Sequence, residues 1–252
     1  MTRSWTISGS RPPTGGRPCA HTLVASPALA PRLRGVIFDM DGVVVDSEPL
    51  SIAVIAEVIA EHGGQVDPAL LAGLTGVNLM EVLRVAAAHS GRSLDTQALH
   101  RSYQQRYLPR LRACAAATPG LARLIAALVG AGVAIGLASS SSLAEIDVVV
   151  HALRLRPVLA AVASADEVAR PKPAPDVYRL AVRRLGTGPE RVVAIEDSST
   201  GMAAAHAAGL VCVGVRTPVT RGQDLGDSAL LVDSLAELDP GILERLVPDG
   251  TD

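Results

Sequence analysis

The sequence predicts an α/β protein, a doubly wound parallel sheet interrupted by an all-helical insert. Three observations carry this reading. After residue 118, short apolar runs of the kind that form buried parallel strands alternate with helical segments. One more such run, Val36-Ile37-Phe38, stands far upstream of the others. Between residues 47 and 118 the apolar residues recur only at helical spacing.

The elements follow in order. Residues 1–33 are rich in Pro, Arg, Ser and Gly and show no periodicity, as in a disordered tail or a start codon placed too far upstream. Leu23 to Ala30 faintly resembles a signal peptide, but its apolar part is short and broken by Pro27, so export is not expected. The first strand is expected at Gly35 to Phe38 and runs straight into Asp39-Met40-Asp41-Gly42. After Asp46-Ser47-Glu48-Pro49, residues 50–62 form a helix that Gly63-Gly64 stops. Asp67-Pro68 opens a second helix by cap and first-turn chemistry. Helices over 79–89 and 96–117 complete the insert, and Thr118-Pro119-Gly120 marks the return to the sheet.

A helix over 121–129 then leads to a strand over Val133 to Leu137, which ends in Ala138-Ser139-Ser140-Ser141. A helix over 143–153, a strand over 158–162 and a helix over 176–185 follow. The strand Val192 to Ile195 ends in Glu196-Asp197. A helix over 200–208, capped by Gly209, a strand over 211–215 and a short strand over 229–232 close the pattern. The expectation is a Rossmann-like doubly wound parallel core over 34–46 and 119–252, with residues 47–118 inserted as an all-helical domain.

Composition excludes several classes of function. The chain has 252 residues, 48% hydrophobic and 19% charged, which is ordinary for a globular protein with a full core. A formal net charge of −2 gives no broad attraction to nucleic acid or to an anionic membrane. Aromatic residues are only 2% of the chain, too few for base-stacking platforms. No apolar run reaches the roughly 20 residues of a membrane span. Cys19, Cys114 and Cys212 are widely spaced and suggest neither disulfides nor zinc, and the six histidines show no metal-type pairing. The cytoplasm is the expected compartment, and a monomer or weak homodimer the expected state.

Polar groups collect where strands end. These are Asp39 and Asp41, then Ser139, then Glu196 and Asp197, with Lys172 on the stiff loop Arg170-Pro171-Lys172-Pro173-Ala174-Pro175-Asp176. Four carboxylates and one lysine in one site would repel strongly, and a divalent cation relieves that repulsion. All-oxygen ligands select a hard ion, and the expected one is Mg²⁺. Taken singly, each feature has a plain reading. Asp39-Met40-Asp41-Gly42 can be a turn, Ser139 or its neighbours Ser140 to Ser142 a helix cap, Lys172 a surface lysine, and Asp46 and Glu48 surface or hinge residues.

Together, this set of residues in this order resembles the haloacid dehalogenase-like superfamily, in its phosphatase and phosphomutase branch with a helical cap. The likeness spans residues 34–236. Its four motifs stand as Asp39-Met40-Asp41-Gly42-Val43 (continuing to Asp46-Ser47-Glu48-Pro49), Leu137-Ala138-Ser139-Ser140, Lys172-Pro173-Ala174-Pro175-Asp176 and Ile195-Glu196-Asp197-Ser198-Ser199-Thr200-Gly201. The resemblance implies roles for them. Asp39 would be the nucleophile that becomes an aspartyl phosphate, and Asp41 the acid and base. Ser139 would hydrogen-bond a phosphoryl oxygen, and Lys172 would neutralise charge on it. Asp39, the carbonyl of Asp41, Glu196 and Asp197 would hold Mg²⁺. Residues 47–118 would be the mobile cap. The implied substrate is a small phosphorylated metabolite such as a sugar phosphate.

A β-phosphoglucomutase-like reaction is the alternative. The resemblance implies that such a mutase presents a cap arginine to the phosphate that is not transferred. Here that position aligns with Leu79, although Arg84 is near in sequence. A dehalogenase is disfavoured because that branch lacks the carboxylate that Asp41 supplies. A catalytically inactive binding protein on the same fold is disfavoured because all four motifs are intact.

Overall fold

The computed structural model describes residues 32–74, 76–220 and 222–248. The tail expected before residue 32 lies outside the described residues. Leu33, expected at the end of that tail, is buried in the core, and Arg32 N–H donates to Glu244 Oε1 at 2.8 Å.

Six parallel strands form one sheet in the order β3-β2-β1-β4-β5-β6. They are β1 (Gly35–Phe38), β2 (Ala134–Ser139), β3 (Leu159–Ser164), β4 (Val192–Glu196), β5 (Val211–Val215) and β6 (Leu230–Val232). β1 pairs in parallel with β2 on one side and β4 on the other, Phe38 lying beside Leu137 and Ile195. The strand order therefore reverses direction between β1 and β4. In an open α/β sheet the crevice outside the carboxyl ends at that point is where ligands bind.

The apolar runs read as strands because both faces are covered. Val36 and Phe38 pack with Ile135, Leu137, Val193 and Ile195 in one core, under α5 (Leu121–Gly130) and α6 (Leu143–Ala152). Ile37, Ala138, Ala194 and Cys212 pack in a second core, under α7 (Asp176–Leu185) and α8 (Ser199–Ala207). The last helix, α9 (Pro240–Leu246), buries Leu243 in the first core and was not expected from the sequence.

Four helices occupy the insert: α1 (Glu48–Glu61), α2 (Pro68–Ala72), α3 (Leu79–His89) and α4 (Thr96–Cys114). Asp67 and Asp95 cap α2 and α4, each accepting the N–H two residues on. α4 packs on α1 and α3, and also on α6 of the sheet layer. Its buried residues Leu99, Tyr103, Tyr107 and Leu111 recur every four positions, a stripe down one helical face. The helix ends at Cys114, not near residue 117 as the spacing predicts. The chain leaves it because Ala117 pairs with Val45 in an antiparallel bridge, and Thr118 N–H donates to Val44 O at 3.1 Å. The two segments that join the insert to the sheet therefore run side by side.

Candidate active site

At the carboxyl ends of β1 and β4 the chain buries a group of charges. Asp39 follows β1, and its N–H donates to Ile195 O of β4 at 2.9 Å. Lys172 reaches in from the loop before α7. Its Nζ donates to Asp39 Oδ1 at 2.6 Å, Glu196 Oε1 at 2.6 Å and Ala138 O at 3.2 Å. Asp39, Lys172, Glu196 and Asp197 are all buried. An ammonium has three donors, and here each has an acceptor. Burial opposes the charge on Lys172, but Asp39 and Glu196 outweigh it and raise its pKa. Burial and then Glu196 push the Asp39 carboxyl well above the usual carboxylate range, with Lys172 acting against them.

Glu196 takes up donors on both oxygens. Oε1 also accepts from Tyr178 Oη at 2.6 Å, and Oε2 accepts from Asp197 N–H at 3.1 Å and Ser198 Oγ at 3.2 Å. Gly201 is required behind it, because a Cβ there would stand 1.9 Å from Glu196 Oε1. Tyr178 is fully buried, and burial and then Glu196 hold its phenol well above its usual pKa, so it donates.

Asp197 differs from Glu196. Its Oδ2 is buried and has no hydrogen-bond partner. Burial, then Glu48, Asp39 and Glu196, raise its pKa well above the usual range. An orphaned carboxylate oxygen among other carboxylates is the setting that a divalent cation resolves. One carboxylate oxygen or more from each of Asp39, Glu196 and Asp197 lies within 4.8 Å of the others. The approach is open because Gly42, at φ +82°, has no side chain. A Cβ there would stand 2.0 Å from Asp197 Oδ2. The residues present therefore fit a hard divalent ion.

Asp41 sits on the turn after β1 and is held at both oxygens. Ser47 Oγ donates to Oδ1, and Ser141 Oγ donates to Oδ2 at 2.7 Å. Ser139 ends β2 fully buried, its Oγ accepting from Ser141 N–H at 2.9 Å. The cap of α6 is Ser142, which forms a reciprocal capping box with Glu145. Ser139 is therefore not needed as the cap.

These groups open into a cavity of about 270 Å³ between the strand ends and the insert. Asp39, Asp41, Lys172 and Asp197 line it, as do Ser140, Ser141 and Ser142. The opposite wall carries Leu79, Asn78, His100, Tyr103 and Tyr107. The tyrosines stack with centroids 4.7 Å apart, and Tyr103 Oη lies 2.9 Å from Ser51 Oγ.

Sequence reasoning missed several of these residues. Glu48, expected at the surface or a hinge, is buried and lines the cavity, because the first turn of α1 faces Asp197. An acid followed by proline at a helix start was the available signal. Tyr178 lies in the first turn of α7, six residues after Lys172, where helical spacing turns it inward. Ser47 and Ser141 carried no signal beyond their place beside the motifs.

The sequence profile described as haloacid dehalogenase-like hydrolase matches residues 36–215. The chain belongs to this family. It is an enzyme of the hydrolase class, in the phosphatase and phosphomutase branch. Over 186 residues it is 34% identical to fructose-1-phosphate phosphatase YqaB of Escherichia coli, a match covering 73% of this chain and 97% of that one. Over 217 residues it is 32% identical to protein CbbY of Cereibacter sphaeroides, covering 82% and 94%. The crystal structure of CbbY from Rhodobacter sphaeroides in complex with phosphate superposes with a TM-score of 0.74 at 32% identity, covering 82% of this chain and 96% of that one. No helix among the described residues is long and apolar enough to cross a membrane.

Proposed function

We propose that this hydrolase is a Mg²⁺-dependent phosphatase that releases phosphate from a small phosphorylated metabolite, a sugar phosphate, by way of an aspartyl phosphate on Asp39. One observation carries the reading: Lys172 Nζ lies 2.6 Å from Asp39 Oδ1, beside the unpartnered Oδ2 of Asp197, at the mouth of a cavity on the strand ends. Asp39, the carbonyl of Asp41 and Asp197 are the residues that would hold the cation; Glu196, the fourth ligand expected from the sequence, stands in the same carboxylate group but already accepts from five donors. When bound it would offset the carboxylate charge and polarise phosphoryl oxygens.

The chain's own residues supply the rest. An oxygen of Asp39 attacks phosphorus in line with the ester oxygen, and the P–O bond to the alcohol breaks. Asp41 gives its proton to the departing alkoxide. It then takes a proton from the water that attacks the phosphoryl group, which restores Asp39 and releases phosphate. Lys172 keeps a positive charge beside Asp39 throughout. Ser140 and Ser141, which line the cavity, would donate to phosphoryl oxygens, while Ser139, expected in that role, is fully buried behind them with its Oγ accepting from Ser141 N–H. The insert closes the cavity opposite the strand ends.

The wall opposite the nucleophile supports hydrolysis over mutase chemistry. Leu79 lines the cavity, and no arginine does among the described residues. Arg84 pairs with Glu81 on an exposed face, its Nε 2.7 Å from Glu81 Oε2. Phosphate release from a panel of sugar phosphates, with Mg²⁺ and with a chelator, tests the proposal. Rapid glucose 6-phosphate formation from β-glucose 1-phosphate with negligible phosphate release would overturn it in favour of the mutase. No turnover of any phosphomonoester would return the chain to the binding-protein reading.

A further inference from the structure

Tyr178 takes no part in the chemistry proposed above, yet it is one of the largest fully buried side chains of the protein. Its hydroxyl donates to Glu196 Oε1 at 2.6 Å, the same oxygen that accepts from Lys172 Nζ at 2.6 Å. Its ring lies under the ammonium, with Nζ 4.9 Å from the centroid, within the range of a cation–π contact. Lys172 thus has two carboxylate acceptors at equal distance, Asp39 and Glu196. Left to Coulomb attraction alone, a lysine between two carboxylates drifts to whichever is less satisfied. The phenol satisfies part of Oε1, and the backbone and hydroxyl donors of residues 197 and 198 satisfy Oε2.

We propose that Tyr178 is a positioning residue, which sets how Lys172 divides its charge between Glu196 and Asp39 and so keeps the ammonium against the nucleophile. Glu196 then serves the lysine, because a carboxylate offers about four acceptor sites and five donors already address this one. Asp197, with its bare Oδ2, is the member of the pair left to face the cation. This inference rests on the phosphatase reading, in which Lys172 must stay beside Asp39.

The test uses the full chain, p-nitrophenyl phosphate as substrate and Mg²⁺. Tyr178→Phe keeps the ring under the ammonium and removes only the hydroxyl. It is expected to lower kcat about tenfold while KM stays within about twofold. Calorimetric Mg²⁺ affinity is expected to stay within about threefold of wild type in both Tyr178→Phe and Glu196→Gln, and to collapse in Asp197→Ala. In the double variant, adding Tyr178→Phe to Glu196→Gln is expected to cost less than about twofold more, because the phenol acts through that carboxylate. Multiplicative losses in the double variant would overturn the proposal, as would Tyr178→Phe retaining more than half of wild-type kcat. A fall in Mg²⁺ affinity of more than about tenfold in Glu196→Gln would overturn it even if Tyr178→Phe did not fold. Wild type that turns over no phosphomonoester overturns the phosphatase reading beneath it, and this proposal falls with it.

Discussion

The two walls of the cavity are built differently. On the sheet wall, Asp39, Lys172, Glu196 and Asp197 are buried charges fixed by parallel strands and by each other. On the insert wall the buried carboxylate of Glu48, at the start of α1, is the exception; Asn78, His100, Tyr103 and Tyr107 are uncharged or weakly basic groups on helices α3 and α4 and at their ends, among apolar neighbours such as Leu79 and Val82. Buried charges in a dry site are costly unless paired, so they stay where chemistry needs them. Hydroxyls, amides and apolar surface give shape and hydrogen bonds at lower cost. Under the proposed function, the sheet wall would set how fast a phosphoryl group moves, and the insert wall what carries it.

The hardest test of the sheet wall is the proposed nucleophile, Asp39. Asp39→Asn keeps the shape and replaces the attacking oxygen by an amide. Turnover is expected to fall by at least about a thousandfold with the fold intact. Single-turnover trapping of a phosphorylated chain should succeed with wild type and fail with the variant. Residual turnover above a few per cent of wild type would remove Asp39 from that role.

Next in size is the cation. Asp197→Ala removes the carboxylate whose Oδ2 lacks any other partner, so the Mg²⁺ concentration for half-maximal activity is expected to rise about tenfold to a hundredfold. The same activity at saturating substrate and an unchanged Mg²⁺ titration would detach Asp197 from the cation.

This division also explains what could be read from the residues alone. A buried parallel strand is nearly all apolar and must end in a polar turn, so Val36-Ile37-Phe38-Asp39 and Val193-Ala194-Ile195-Glu196 announce both a strand and a site. The strand alternation predicts the sheet, and six parallel strands are present. The insert wall left no such mark. Tyr103 and Tyr107 fall at ordinary core spacing on α4, and nothing local says that their hydroxyls face a cavity. Glu48 was missed because its burial depends on the first turn of α1 lying beside Asp197, just past β4 and about 150 residues away in sequence. α9 was missed because it is only seven residues long, too short for a period to emerge.

A smaller effect is expected on the insert wall. His100 lines the cavity in the first part of α4, and among the described residues no hydrogen bond or ion pair joins it to the buried charges. His100→Ala should raise KM severalfold for the preferred substrate while kcat stays within about twofold, which is the signature of lost uniform binding. Steady-state kinetics on that substrate decide it. A large fall in kcat at constant KM would mean that the insert wall shares in the chemistry, and the contrast between the walls would fail.

The smallest effect on turnover is expected at Glu145, a buried carboxylate of the sheet layer that lines the cavity and pairs with Ser142. Burial raises its pKa from 4.5 to about 7, although Ser142 N–H and Oγ donate to its Oε2 at 2.7 and 2.8 Å. The folded state therefore prefers the protonated acid. Its favourable contribution is complete below about pH 4.5, where the unfolded chain is protonated too, and is lost as pH rises through 7. The difference of 2.5 units between 7 and 4.5 sets a ceiling on the order of 3 kcal/mol. Glutamine at this position can still accept from Ser142 N–H, so the capping box survives without the charge. Glu145→Gln should then match wild type in urea unfolding near pH 4 and exceed it by about 1–3 kcal/mol near pH 8. Phosphate release should change less than twofold. Parallel pH dependences of stability in the two proteins would show that Glu145 is ionised at little cost, and that the sheet layer spares room for a carboxylate with no chemical task.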